Sequence, residues 1–212
     1  MSILNIGCGA GRETFAFHSL GFHRVCGVDL TPEFIAIAEE RRDAIPADIP
    51  FHVAPARQLP FPNGQFDLAT MFENVYGHIT PRAYRLEALV EARRVLKPGG
   101  LLFLEATSIR TMFRYWAAIR IMDAYHRLIN PYHLEFGDKL TVDAGQVDVP
   151  KSERPRTHWF TPREISEEAE SAALEIAQAT TQKGIVANPT GNSKRYRGEG
   201  RLLYVLRRPI GG

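Results

Sequence analysis

Long apolar runs are missing from this 212-residue chain. None approaches the roughly 20 residues that a bilayer span needs, and no charged start leads into an apolar signal segment. Cysteine is scarce, with two residues. Cys8 falls in a glycine-rich loop and Cys26 in an expected strand, positions that demand no disulfide, so free thiols in a reducing, cytoplasmic setting are expected. Excess charge is also lacking: a net +2 is too small to imply a nucleic-acid or membrane partner. His126, His133 and His158 show no metal-ligand spacing, and no metal is expected. The length suits one domain, residues 1–212, with a full core.

What is present begins at Ile3-Leu4-Asn5-Ile6, an apolar run that reads as a buried parallel strand. It leads into Gly7-Cys8-Gly9-Ala10-Gly11 and then a helix from about Arg12 to Leu20, which Gly21 ends. Strand, glycine turn, helix is how α/β folds bring backbone close to a ligand, because no Cβ stands in the way. The glycines alternate, so the G-x-G-x-x-G register of dinucleotide folds is not met, and a nicotinamide-dependent oxidoreductase is set aside. About 20 residues later the strand Val25–Leu30 ends on Asp29, placed to accept hydrogen bonds from two ribose hydroxyls or to cap the helix that starts at Thr31-Pro32-Glu33. That helix runs to about Asp43, and Phe51-His52-Val53 is a third strand.

Three ordered motifs carry a resemblance to the class I S-adenosylmethionine-dependent methyltransferases of small-molecule type. The first is Gly7-x-Gly9-x-Gly11 with Asp29. The second is Ala56-x-x-Leu59-Pro60-Phe61-Pro62 with Phe66-Asp67. The third is Arg94-Val95-Leu96-Lys97-Pro98-Gly99-Gly100 before the strand Leu101–Glu105. His158-x-Phe160-Thr161-Pro162-x-Glu164 adds a fourth element, in which Thr161 N-caps a helix and Pro162 takes its first position. The resemblance implies a Rossmann-like α/β three-layer sandwich. Its seven-stranded sheet has order 3-2-1-4-5-7-6, strand 7 antiparallel, with an insertion after strand 5. It implies S-adenosylmethionine as cofactor, held by Asn5, Gly7, Cys8, Gly9, Gly11, Asp29, Leu30, Ala56, Arg57 and Phe72. Two positions depart from the family pattern: Pro55 stands where an acid meets the adenine amino group, and Asn5 where the first strand has an acid.

After the fourth strand, Phe66–Met71, the segment Phe72–His78 lies at the carboxyl edge of the sheet, where open α/β folds place ligand chemistry. His78, Glu73 and Tyr76 are the candidate catalytic residues. His78 is a general base or a structural histidine, and Tyr76 walls the adenine or acceptor, or merely packs. A helix from Pro81 carries Leu86, Leu89, Val90 and Val95 as its apolar stripe. Residues 107–158, with a helix over Ile109–Ile129 and an irregular stretch from Asn130 to Pro155, read as an acceptor lid or a homodimer surface. A first strand almost at Met1 predicts a truncated frame or cover supplied from elsewhere in the chain.

The expected activity is in-line methyl transfer to a small molecule, without a membrane partner. One rival is a nucleic-acid methyltransferase using Lys194, Arg195, Arg197, Arg201, Arg207 and Arg208. Against it, Phe72-Glu73-Asn74-Val75 stands where amino-directed enzymes carry an N-P-P-Y type motif. The other rival is a non-catalytic cofactor-binding scaffold.

Overall fold

The computed structural model describes residues 1–45, 47–110, 137–140, 156–181, 184 and 200–211. The expected lid helix, His126, His133, Lys194, Arg195, Arg197 and most of the 107–158 insertion lie outside the described residues.

Strands and helices alternate through the first half: β1 (Ser2–Ile6), α1 (Arg12–Ser19), β2 (Arg24–Asp29), α2 (Pro32–Asp43), β3 (Phe51–Val53), β4 (Phe66–Met71), α3 (Val75–His78), α4 (Arg82–Val95) and β5 (Leu96–Thr107). Then come β6 (Asp138–Leu140), β7 (Arg156–His158), α5 (Pro162–Ser171), β8 (Glu175–Thr181) and β9 (Arg201–Arg207). The main sheet has the order β3-β2-β1-β4-β5-β9-β8, which is the expected topology. Its first five strands are parallel, and β9 runs antiparallel to both β5 and β8. A separate hairpin-like pair, β6 with β7, was not foreseen.

All five residues of β1 are buried, as a central parallel strand covered on both faces requires. Alternation along β5 and β9 sends Leu102, Leu104, Ala106, Leu202, Tyr204 and Leu206 into the main core with Leu89, Ala92 and Ile165. Ile3, Val25 and Leu68 pack on the other face with Phe17 and Phe22.

Helix α4 corrects the expected stripe. Arg85, Ala88, Leu89, Ala92 and Val95 are buried, whereas Val90 is exposed. The buried face keeps Leu89 and Val95 of that stripe and adds two alanines and a paired arginine, which a search for large apolar side chains does not see. The same helix fastens two of the sequence motifs together. Glu91 accepts the Leu59 N–H at 2.8 Å, and Arg94 donates to the carbonyls of Leu59 and Phe61. The proline-rich loop is therefore anchored just ahead of Lys97-Pro98-Gly99-Gly100, which opens β5 as a segment with shifted register rather than preceding a strand that starts at Leu101. Thr161 caps α5 as expected, and Glu164 completes a capping box with it.

Candidate active site

The three loop glycines do different things. All have positive φ, at 72°, 50° and 84° for Gly7, Gly9 and Gly11. A Cβ on Gly7 would fall on the Val75 side chain of α3, and one on Gly11 would meet Phe15 and Phe51. These two are bare so that protein can pack on them. A Cβ on Gly9 would meet nothing within 4 Å, so its backbone faces open space. Of the three, Gly9 is the one whose bare face meets no protein atom.

Asp29 at the end of β2 is clasped by that loop. Its Oδ2 accepts the Gly9 N–H at 2.8 Å and its Oδ1 accepts the Thr31 N–H at 2.9 Å. Thr31 is the N-cap of α2, so Asp29 steadies the entry to that helix without capping it, and each of its oxygens keeps a further lone pair. Leu30 and Val53 beside it are large, exposed apolar side chains, an apolar wall at the carboxyl edge of β2 and β3. Ala54 ties the two strands by donating to the Asp29 carbonyl, and Ala56 sits in the turn closed by Gln58 N–H to Pro55 O. Bare backbone, a fixed carboxylate and an apolar wall fit a ligand carrying a ribose and a flat ring.

Other expected cofactor contacts have partners within the protein. Asn5 is buried, donating to Thr14 and accepting from Thr70, both at 3.0 Å, so it braces β1 against α1 and β4. Cys8 is buried beside Asp29, and burial with that charge pushes its thiol pKa up to about 12, leaving an unreactive thiol. The Arg57 guanidinium lies 4.3 Å from the centre of the Tyr84 ring and 3.5 Å from Glu87 on α4. Phe72 stacks on Phe17 of α1.

The catalytic candidates separate clearly. Tyr76 is fully buried, stacked on Phe160, with its hydroxyl donating to Glu168. It walls no open site, and burial together with the Glu168 charge pushes its pKa up. Glu73 is exposed, and its carboxylate pairs with Arg12 at 2.9 Å and Arg201 at 3.2 Å. Partial burial favours its protonation, but the two arginines outweigh this and hold its pKa down. His78 is exposed at the end of α3, with Nδ1 3.2 Å from the Thr157 hydroxyl.

Three features escaped the sequence reading. Glu105 near the end of β5 is buried and pairs with Arg201 at 2.7 Å. Arg85 and Glu168, both buried, form an ion pair at 3.0 Å beneath α3. His158 is buried with Nδ1 2.7 Å from Asp138 and Nε2 3.6 Å from Glu164. Glu164 aside, the partners lie 20 to 96 residues apart in the chain, beyond the reach of local pattern. Of the basic C-terminal cluster, Arg201 serves Glu73 and Glu105, and Arg208 donates to the carbonyls of Arg93 and Arg94 at the end of α4. An open cavity of about 410 Å³ between Ser166, Leu174, Ile176 and Pro209 lies at the opposite, amino edge of the sheet.

Residues 3–100 match the methyltransferase domain family. The chain is 30% identical over 220 residues to the 27-O-demethylrifamycin SV methyltransferase of Amycolatopsis mediterranei, covering 96% of this chain and 75% of that protein. Its fold is similar to a methyltransferase structure from Methanosarcina mazei, with TM-score 0.77, 21% identity and coverage of 99% and 92%. It is also similar to the 1,6-didemethyltoxoflavin-N1-methyltransferase of Burkholderia thailandensis, solved with 1,6-didemethyltoxoflavin and S-adenosylhomocysteine. There the TM-score is 0.62, the identity 18% and the coverage 98% and 71%. The chain spans about a third to a half of the length of the first curated relatives it matches.

Proposed function

The chain belongs to the class I S-adenosylmethionine-dependent methyltransferases, and from that premise we propose that it methylates a small-molecule acceptor. The observation that carries this reading is the Asp29 carboxylate, fixed by the Gly9 and Thr31 N–H groups beside the bare face of Gly9. Asp29 would hold the ribose hydroxyls, Gly9 would pass under the ligand, and Leu30 and Ala56 would line the base. S-adenosylmethionine, when bound, supplies a methyl group on a positively charged sulfur, a carbon already activated for displacement.

The chain's own task is then alignment. Holding two reactants in line can lower a barrier by about 7–11 kcal/mol, whereas a base adds about 10²–10⁴-fold. Where the acceptor must lose a proton, His78 is the candidate best placed to take it. It is exposed at the carboxyl edge, while Glu73 is held ionised by two arginines and Tyr76 is enclosed. The name of the rifamycin relative supports a small organic acceptor. The internal pairing of Arg201 and Arg208 weakens the nucleic-acid alternative. A single domain with residues 107–158 as acceptor cover, a cytoplasmic setting and a homodimer belong to the same proposal. Among the described residues, no helix is long and apolar enough to cross a membrane.

Calorimetry with S-adenosylmethionine, S-adenosylhomocysteine and NADH tests the reading, followed by transfer of a radiolabelled methyl group to a panel of small hydroxylated and amino acceptors. Micromolar binding of both sulfur ligands without NADH binding is expected. Failure of the wild-type protein to bind either sulfur ligand would overturn it.

A further inference from the structure

The turn after β4 adopts a conformation that Glu73 does not favour and that Asn74 tolerates better than most residue types. Glu73 and Asn74 have φ of 52° and 62° in succession, the left-handed region that side-chain-bearing residues seldom occupy. Such a turn persists where the surroundings hold it. Here they hold it from two sides. The Asn74 Oδ1 accepts the backbone N–H of Thr107, at the end of β5, at 2.9 Å. Its amide lies so close to Gly77 that a Cβ there would approach Asn74 Nδ2 within 2.6 Å, so Gly77 is bare to admit it. On the other side Val75 rests on the bare face of Gly7. Arg201 adds a second fastening by bridging Glu73 of the turn to Glu105 of β5.

We propose that Asn74 is a positioning residue of the acceptor side of the site. Its bond to Thr107 fixes the left-handed turn between β5 and the glycine loop, and so sets where Glu73 and His78 stand. The Arg201 bridge supports it. This inference rests on the methyltransferase reading for its functional meaning, but the clasp has its own physical readout.

The substitutions separate conformation from bonding. Asn74→Gly keeps the left-handed backbone and removes the bond, whereas Asn74→Asp keeps an oxygen acceptor for Thr107. Hydrogen exchange followed by mass spectrometry on peptides spanning residues 72–80 is the primary measurement, with calorimetric titration of S-adenosylhomocysteine alongside. In Asn74→Gly, exchange at 74–79 should accelerate about tenfold or more. Peptides from β1 and β2 should be unchanged, and the S-adenosylhomocysteine Kd should stay within about threefold of wild type. Asn74→Asp should restore most of the protection. Arg201→Met should show the same local effect, smaller.

With any acceptor found in the panel, Asn74→Gly should lower kcat about tenfold or more, with Asn74→Asp recovering most of it. Unchanged exchange in Asn74→Gly, loosening spread over the whole sheet, or accelerated exchange with kcat unaltered would each overturn the proposal. Wild-type protein that keeps the local exchange pattern yet binds no S-adenosylhomocysteine would sink the methyltransferase reading and leave the clasp standing.

Discussion

Replacing Asp29 with asparagine changes few atoms and should nonetheless cost the protein its cofactor. In the structure the two carboxylate oxygens each accept a backbone N–H, at 2.8 Å from Gly9 and 2.9 Å from Thr31. An amide offers only one acceptor end. Whichever way the substituted amide turned, its NH₂ would face one of two N–H donors, losing that bond and adding a repulsion. The fold should lose about 1–3 kcal/mol, the cost of leaving a polar group unmatched. For a protein of this size that lowers Tm by roughly 2–4 °C per kcal/mol.

Ligand affinity should suffer more specifically. Hydrogen bonds from ribose hydroxyls to a carboxylate are charge-assisted, worth about 1.5–3 kcal/mol each. Loss of one such bond weakens the S-adenosylhomocysteine Kd by about 10- to 150-fold. Calorimetry on wild type, Asp29→Asn and Asp29→Ala reads this directly, with a melting curve for each variant to show that it is folded. A folded Asp29→Asn protein that binds within threefold of wild type would refute the reasoning, because Asp29 would then be only the brace of its own loop.

The glycine loop offers a paired contrast. Gly7→Ala should destabilise by about 2–5 kcal/mol, because the new methyl lands on Val75 in a closely packed contact and the alanine must also adopt a left-handed backbone, as chemical denaturation will show. Gly9→Ala meets no protein atom, so it should cost only the roughly 1–2 kcal/mol of a left-handed alanine while weakening S-adenosylhomocysteine binding tenfold or more in calorimetry. Beneath α3, Glu168→Ala removes the carboxylate partner of buried Arg85 and should cost about 3–5 kcal/mol in urea unfolding. An Arg85→Met/Glu168→Met/Tyr76→Phe triple variant, which also removes the Tyr76 hydroxyl that donates to Glu168, should regain most of that loss. His158 carries a pH signature. Burial opposes its protonation, but Asp138 and Glu164 outweigh burial and Arg85, so its pKa lies above the ordinary 6.5. The raised value means that its contribution is complete below pH 6.5 and fades as pH rises through the folded-state pKa. Melting temperatures between pH 5.5 and 8.5 should fall on the alkaline side in wild type and flatten in His158→Phe.

Much of the fold was written locally. The strand from Ile3 to Ile6, the glycine turn, Phe51–Val53, Phe66–Met71 and the Thr161 cap are each set by residues within a few positions of one another, and all stand where the pattern places them. Sheet order followed from assembling those units into a known topology. The buried face of α4 did not, because Arg85 looks like a surface residue until Glu168, 83 residues away, is brought against it. The β6–β7 pair and the Asp138–His158 contact were hidden for the same reason: three-residue strands carry little periodicity, and a salt link across 20 residues leaves no spacing rule behind.

The candidate site divides along the same line. Asp29 and Gly9 were legible because they are adjacent through a strand-turn-helix unit whose geometry their residue types nearly dictate. Gly7 was legible as a glycine but not in its reason, since the side chain it makes room for is Val75, at the start of α3. Asn74 was illegible altogether, although Asn is among the few residue types that tolerate the left-handed backbone it adopts. Its partner is a backbone N–H, which every residue except proline has, so the sequence of Thr107 says nothing of the contact. Side chains that bind ligand directly are constrained by chemistry and leave a type signature at the end of a strand. Those that hold the binding loops in place bond to generic backbone, and only the packed fold shows which ones they are.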